Sequence, residues 1–130
     1  MTPLTKHFCV EELLPDGHTD ASVLSAKLLT LIDQIRDLLG VPCEINADGR
    51  QLCGWRPADC PVGAAHSQHK LGKAADIHPQ GMTAKEARTK VKEAVARGEL
   101  LELGGVELGV SWLHVDVRDR VGGKVLWFKA

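Results

Sequence analysis

The strongest structural signal in this sequence is residues 21–39, an amphipathic stretch that predicts a long helix. Its apolar residues recur at intervals of three and four, which places them on one broad helical face. Asp20 is positioned to cap the start of this helix, and Gly40 to end it. The apolar positions are Val23, Leu24, Leu28, Leu31, Ile32, Ile35, Leu38 and Leu39. Another layer of the fold must cover a face this wide.

A second helix is predicted over residues 84–97 by a capping box at its start. The Thr83 hydroxyl can accept a hydrogen bond from the backbone N–H of Glu86, and the Glu86 side chain can reach back to Thr83. Gly98 follows the predicted end of the helix. A short apolar turn or helix is also expected around Phe8 to Leu14, before the long helix.

Short apolar stretches separated by glycines and turns predict the remaining layer to be a sheet. Asp48-Gly49 is a strong hairpin signal between two of the predicted strands. The predicted strands are residues 43–46, 51–55, 100–103, 106–110, 112–117 and 125–128. Two main helices packed on a small, largely antiparallel sheet form an α+β fold. At 130 residues, we expect a single domain spanning residues 1–130.

Charge and hydropathy exclude two classes of function. The chain carries 16 Lys and Arg against 17 Asp and Glu, whereas a general nucleic-acid binder needs a basic field. No apolar run approaches the roughly 20 residues of a membrane-spanning helix. Acidic residues stand near the N-terminus, where a signal peptide has its apolar stretch. We therefore expect a chain made in the cytoplasm without a signal peptide, with no membrane span and no nucleic-acid partner. We also expect a monomer.

The four cysteines have no CxxC spacing, which argues against a cysteine-rich zinc finger. Four free thiols are the expected state in the absence of a signal peptide. The alternative is a disulfide between Cys43 and Cys53, because these two flank the predicted hairpin turn.

Two segments carry residues capable of chemistry. The first places His69 and Asp76 seven residues apart, among small side chains. In the second, residues 112–118, polar or aromatic side chains alternate with aliphatic ones. Alternate residues of a strand share a face. One face of that strand would carry Trp112, His114, Asp116 and Arg118, and the other Leu113, Val115 and Val117. Such a strand is typical of the wall of a cleft.

Two histidines and one carboxylate suit a catalytic zinc site, because three protein ligands leave a fourth position for water. The metal would lower the pKa of that water and polarise a carbonyl group. Nitrogen and oxygen ligands also accept other divalent ions. The spacing of His69 and Asp76 is a weak pattern by itself, and an isolated histidine is more often an ordinary surface or core residue.

The two segments together resemble the signature blocks of the zinc D-Ala-D-Ala peptidases, peptidase family M15. This family includes carboxypeptidases and endolysin-type peptidases that cut peptidoglycan stem peptides, and the hedgehog signalling domain has the same fold and zinc site. The matching blocks read Ser67-x-His69-x-x-Gly72-x-Ala74-x-Asp76 and Trp112-x-His114-x-Asp116-x-Arg118. Supporting similarity is found in His7-Phe8-x-Val10-x-Glu12-Leu13 and in Cys53-Gly54-Trp55-Arg56-Pro57. The resemblance implies a hedgehog-like, DD-peptidase-like fold.

The resemblance also assigns a ligand set, with His69, Asp76 and His114 holding Zn²⁺. In the family a carboxylate acts as general base, often three residues before the last ligand, but Ser111 stands at that position here. Glu107, seven residues before His114, is the first candidate for the base, and Glu102 is the second. The alternative reading of Glu107 is an exposed turn carboxylate.

Two further catalytic assignments follow from the resemblance. Arg56 matches an arginine that binds a substrate carboxylate through two parallel hydrogen bonds, and the alternative is a structural arginine on a loop. Asp116 matches an acidic residue after the last ligand, where it acts in catalysis, orients a histidine or pairs with Arg118. Residues also expected to line the cleft, position a ligand or pack in the core are Trp55, His66, Ser67, Gln68 and Trp112.

The implied function is a zinc metallopeptidase that hydrolyses peptide bonds in D-amino-acid-containing stem peptides of peptidoglycan. A phage or prophage origin is expected, with action on the cell wall after release or as part of a phage particle. The alternative is a catalytically inactive, zinc-stabilised module that binds peptidoglycan or a phage structural partner. The missing acid at Ser111 motivates that alternative.

Overall fold

Three helices form in the computed structural model, which describes residues 1–63 and 67–129. They are α1 (Val10–Leu13), α2 (Ala26–Leu39) and α3 (Ala84–Ala96). A 3₁₀ turn, Ala21–Val23, precedes α2, so the helix predicted from residue 21 begins at Ala26 instead. Asp20 caps that turn by accepting a hydrogen bond from the backbone N–H of Ser22. Gly40 ends α2 in the left-handed conformation, as predicted (φ 68°).

The capping box of α3 is confirmed in both directions. The backbone N–H of Glu86 donates to Thr83 Oγ1 at 3.1 Å, and the backbone N–H of Thr83 donates to Glu86 Oε1 at 3.3 Å. These bonds satisfy N–H groups that the helix itself leaves without partners.

A five-stranded sheet forms the second layer. Its strands are β1 (Cys43–Glu44), β2 (Ala74–Pro79), β3 (Gly105–Glu107), β4 (Leu113–Asp116) and β5 (Leu126–Phe128). Their order across the sheet is β1-β2-β4-β3-β5, and the neighbours are antiparallel except for the parallel pair β3 and β5. The predicted α+β fold with a largely antiparallel sheet is confirmed.

The predicted return strand over residues 51–55 is wrong. The turn itself closes, with Ala47 and Arg50 bonded to each other, but β1 pairs with β2 rather than with the segment after the turn. The backbone of that segment is committed elsewhere: Cys53 O accepts from Asp76 N at 2.7 Å, and Trp55 N donates to Leu13 O at 2.7 Å.

The strand predicted over residues 100–103 is also wrong. This stretch is a turn closed by a 3.0 Å hydrogen bond from Leu103 N to Leu100 O. Leu100 and Leu103 are buried while Leu101 between them is exposed, so their apolar character serves the core and not a sheet.

All four cysteines are free thiols in the structure, as expected. The alternative disulfide between Cys43 and Cys53 is wrong, because Cys43 lies opposite Pro79 of β2 and the segment containing Cys53 does not return beside it.

One face of the sheet is buried against α2 and α3. Ala75 and Ile77 of β2, together with Leu113 and Val115 of β4, have no exposed surface and join the apolar side chains of both helices. Fully burying a side chain the size of Val115, Ile77 or Leu113 contributes about 1.5–3 kcal/mol. This face therefore attaches the sheet to the two helices.

No helix in the described part of the chain is long and apolar enough to cross a bilayer.

Candidate metal centre

The pairing of β2 with β4 places two ionisable side chains directly opposite each other. Asp76 is in register with His114, and the antiparallel ladder continues on both sides of them. Side chains directly opposite in such a pair lie on the same face, with Cβ atoms about 4.5–5.5 Å apart. The third member, His69, comes from the turn immediately before β2.

These three residues form a compact, buried cluster. Asp76 Oδ1 lies 3.3 Å from His69 Nε2 and 2.9 Å from His114 Nδ1. One ligand atom from each residue lies within 4.8 Å of the other two, and the imidazole rings meet edge to face at 5.2 Å. Of the described residues, this is the group whose geometry suits a metal ion.

Each imidazole is held from behind by an acceptor. His69 Nδ1 lies 2.9 Å from the Gly54 carbonyl oxygen, and His114 Nε2 lies 3.1 Å from Asp116 Oδ2. Because both oxygens accept, each ring nitrogen there carries the proton. The other nitrogen of a neutral ring then directs its lone pair at the cluster. Metal-binding histidines are typically oriented in this way.

Asp116 is fully buried behind His114 and is paired with Arg118. The guanidinium donates through Nε to Asp116 Oδ1 at 2.8 Å and through Nη2 to Oδ2 at 2.6 Å. It also stacks on the Phe128 ring, 4.6 Å from the ring centre. A Cβ at Gly105 would lie within 2.7 Å of both carboxylate oxygens, so only glycine leaves room for this pair across β3.

The cluster attracts positive charge. Burial raises the pKa of Asp76, but hydrogen bonds from His114 and His69 outweigh it and hold the pKa well below its usual range. Burial lowers the pKa of His114, but its bonds to Asp116 and Asp76 outweigh it and raise that pKa to about 9. Without a metal, these contacts favour the protonated ring of His114, which donates through Nδ1 to Asp76 and through Nε2 to Asp116. Two nitrogens and one oxygen converging on this point fit a zinc-like divalent ion.

A cavity of about 440 Å³ opens over the cluster. Glu107 lines it from β3 and Arg56 from the loop after the hairpin turn. Its further lining residues are Val62, Gly63, Ser67, Gln68, His69, Asp76, Trp112, His114, Arg118 and Phe128.

Comparison with known protein families identifies the family to which this chain belongs. A family described as Peptidase M15 matches residues 6–116 of the chain. The chain belongs to the peptidase M15 family. No curated protein and no solved structure gave a match. The matched range contains β1 to β4 and every predicted site residue, whereas β5 lies beyond it.

Arg56 of this M15 chain lies beside the cluster with limited freedom. Its Nε donates to the Leu52 carbonyl at 2.8 Å, and its Nη2 lies 3.5 Å from Asp76 Oδ2. Leu52 adopts a positive φ of 65°, which is uncommon for a leucine and is typical of functional segments. The contacts hold the guanidinium in place, and its substrate role remains a prediction.

The candidate bases differ in their positions. Among the described residues, Asp76 and Glu107 are the carboxylates that line the cavity. Glu102 lies in the turn between α3 and β3, outside the lining, and Ser111 is exposed in the bend before β4. These positions favour Glu107, and its assignment as the base remains a prediction.

The sequence predicts that Asp116 acts in catalysis, orients a histidine or pairs with Arg118. It has no exposed surface, so the structure places it in contact with His114 and Arg118 rather than at the cavity wall. Trp112 lines the cavity, whereas Trp55 packs against the core and meets the His18 ring edge to face at 5.3 Å. His66 lies outside the described residues.

Sequence reasoning missed the contribution of Gly54. Its carbonyl orients His69, and a Cβ at this position would clash with the backbone of Leu13, so α1 fixes where that carbonyl lies. The available signal was the position of Gly54 inside the segment Cys53–Pro57, which resembles the family. Phe128, which meets the His114 ring edge to face at 5.7 Å, had no comparable signal.

Proposed function

We propose that this M15 chain is a zinc peptidase that hydrolyses peptide bonds in the D-amino-acid-containing stem peptides of peptidoglycan. One observation carries the proposal. The cluster of His69, Asp76 and His114 lies in a cavity that also presents a carboxylate, Glu107, and a guanidinium, Arg56. Family membership supports the peptidase class.

The chain's own residues divide the chemistry among them. Bound zinc supplies a Lewis acid that polarises the scissile carbonyl and acidifies a water molecule. Glu107 takes the proton from the attacking water and delivers it to the leaving amine. Arg56 binds a substrate carboxylate through parallel charge-assisted hydrogen bonds. Gly54 and Asp116 hold the two imidazoles in their ligand orientation.

We place this activity at the cell wall, after release of the protein or as part of a phage particle, because peptidoglycan lies outside the cytoplasm. A phage or prophage origin belongs to the same proposal.

The second candidate function is an inactive, zinc-stabilised module that binds peptidoglycan or a phage structural partner. The observation that favours it is Ser111, which stands where the family often has an acid and which is exposed outside the cavity. In that case zinc contributes folding energy and no turnover follows.

Mass spectrometry of purified peptidoglycan separates the two candidates. Zinc-loaded protein should release new fragments that are absent after treatment with a chelator, and the fragment masses identify the bond. Glu107→Gln should reduce turnover by at least about 100-fold. Glu102→Gln is the matched control, since Glu102 lies outside the cavity lining, and it should retain turnover.

The metal content of each sample must be measured beside its activity. If protein shown to carry one zinc per chain releases no fragments, the peptidase proposal is wrong and the binding module is favoured. If Glu107→Gln retains full turnover, Glu107 is not the base.

A further inference from the structure

Two polar atoms beside the metal centre are buried without a hydrogen-bond partner among the described residues. They are Gln68 Oε1 and Trp112 Nε1. Such atoms are rare in folded proteins, because removing a polar group from water without replacing its hydrogen bond destabilises the fold. Both atoms belong to residues that line the cavity over the cluster, so a molecule bound there is one source of the missing partners.

The two side chains line the same cavity, and each is close in sequence to a ligand residue. Gln68 immediately precedes His69, and Trp112 stands two positions before His114. The free atoms are of opposite type, since an amide oxygen accepts and an indole N–H donates. A peptide backbone offers both complements, a carbonyl oxygen and an N–H, at short spacing.

The shape of the cleft supports an extended chain at this place. A second cavity of about 390 Å³ adjoins the first, and Trp112 lines both. The two cavities also share Arg56, Val62 and Asp76, and the second continues toward Leu52 and Cys53. A peptide lying across the cluster from one cavity into the other passes Trp112.

We propose that Gln68 and Trp112 form a main-chain clamp for the substrate. The Trp112 indole N–H donates to a substrate carbonyl, and Gln68 Oε1 accepts from a substrate N–H. This clamp rests on the proposed peptidase function and deepens it, because it assigns the substrate to extended peptides bound through their backbone. Both residues are positioning residues for the chain that is cut.

The kinetic test uses zinc-loaded enzyme with diacetyl-L-Lys-D-Ala-D-Ala and with purified peptidoglycan. Gln68→Met keeps the length of the side chain and removes its acceptor, and Trp112→Phe removes the N–H. Each should raise KM about tenfold and change kcat less. Trp55→Phe is the matched control, because Trp55 lies outside both cavities, and it should leave KM unchanged.

Thermal unfolding distinguishes a clamp from a structural role. Gln68 Oε1 has no partner among the described residues in the free protein, so Gln68→Met removes an unsatisfied acceptor. We therefore expect an unchanged or raised Tm together with the raised KM. A lowered Tm with an unchanged KM overturns the clamp.

Binding is measured independently of turnover by following indole N–H resonances in NMR spectra of zinc-loaded Glu107→Gln protein. The three tryptophans are assigned with Trp112→Phe and Trp55→Phe. Addition of diacetyl-L-Lys-D-Ala-D-Ala should move the Trp112 resonance downfield and leave that of Trp55 in place.

The two proposals fail in different ways. If wild-type enzyme turns over, the Trp112 resonance stays in place and KM is unchanged in both variants, the clamp is wrong and the peptidase function stands. If the Trp112 resonance moves but wild-type protein never turns over, the peptidase function is wrong and the peptide clamp stands.

Discussion

The two faces of β2 and β4 are almost equally buried and yet opposite in chemistry. Toward the helices, Ile77 and Leu113 have no exposed surface. On the other face, Asp76 and His114 are each 6% exposed and Asp116 is 0% exposed. Burial alone therefore does not distinguish a core from a site. The two faces differ in what makes their burial energetically favourable.

Burial of the apolar face is favourable because it removes apolar surface from water. This contribution to stability depends little on pH or ligands. The ionisable face is stable only while every buried charge has a partner, because an unpaired buried charge is strongly destabilising. The carboxylate of Asp116 is paired with Arg118 and His114. The carboxylate of Asp76 is paired with the two imidazoles and lies near the guanidinium of Arg56. Substitutions on the two faces should therefore produce different failures.

The largest effect is expected from His114→Ala. This change removes one ligand and leaves Asp76 and Asp116 without their shared imidazole, so zinc binding and hydrolysis should both fall below detection. Zinc stoichiometry of the purified protein and the peptidoglycan assay check this. Ile77→Val, a conservative change on the other face of β2, should retain both properties. Full hydrolysis by His114→Ala would refute the metal centre.

On the helix face, Leu113→Ala should lower the free energy of unfolding by about 2–5 kcal/mol. The loss should be the same with chelator and with zinc, because Leu113 points away from the cluster. Urea unfolding in both conditions measures it. A loss that appears only in the presence of zinc would show that the two faces are coupled.

Asp116→Asn preserves size but removes the charge that orients His114 and pairs with Arg118. Zinc affinity should fall by about 10–100-fold, the range seen when a residue orienting a metal ligand is replaced. Isothermal titration with zinc measures the change. Asp119→Asn is the matched control, because Asp119 is exposed nearby on the same segment, and its affinity should match the wild type.

The smallest effect is a pH dependence confined to the ionisable face. Burial lowers the pKa of His114, but its carboxylate partners raise it to about 9 from 6.5. The folded protein therefore holds this proton more tightly than the unfolded chain, so metal-free stability is full below pH 6.5 and is lost as pH rises toward 9. We expect a decrease of about 1–2 kcal/mol between pH 6.5 and pH 8.5.

Saturating zinc should remove that decrease, because His114 is then already deprotonated in the folded protein. Unfolding in urea at both pH values, with chelator and with zinc, gives the four free energies that are needed. If the free energy of unfolding falls by the same amount between the two pH values with zinc and with chelator, zinc does not replace this proton.

Sequence alone predicted the elements whose signals are local. The apolar face of α2, the capping box of α3 and the alternation in β4 depend on residues close together in the chain, and all three are present. The α+β class follows from them. The ligand set came from the resemblance, because the spacing of His69 and Asp76 is weak by itself.

The elements that sequence reasoning missed depend on distant partners. Apart from Ile77, the residues of β2 are alanines, polar residues and a proline, which give a weak strand signal. β2 becomes a strand because β1 and β4 pair on either side of it. The segment after the hairpin turn reads as a strand, but α1 and β2 take its backbone hydrogen bonds. Likewise, the resemblance marks the segment that contains Gly54, but the hydrogen bond that its carbonyl accepts from His69 depends on α1, which is distant in sequence.

The register of Asp76 against His114 ties the proposed metal centre to the correct pairing of β2 with β4. Because side chains alternate along a strand, a slip of β2 by one residue against β4 would turn Ile77 toward the cleft and send Asp76 into the helix layer, away from His114. Such a sheet could neither bind an ion nor close its core. The pairing of β2 with β4 is therefore needed both for the proposed metal centre and for the core, so a chain able to bind metal there is also correctly folded.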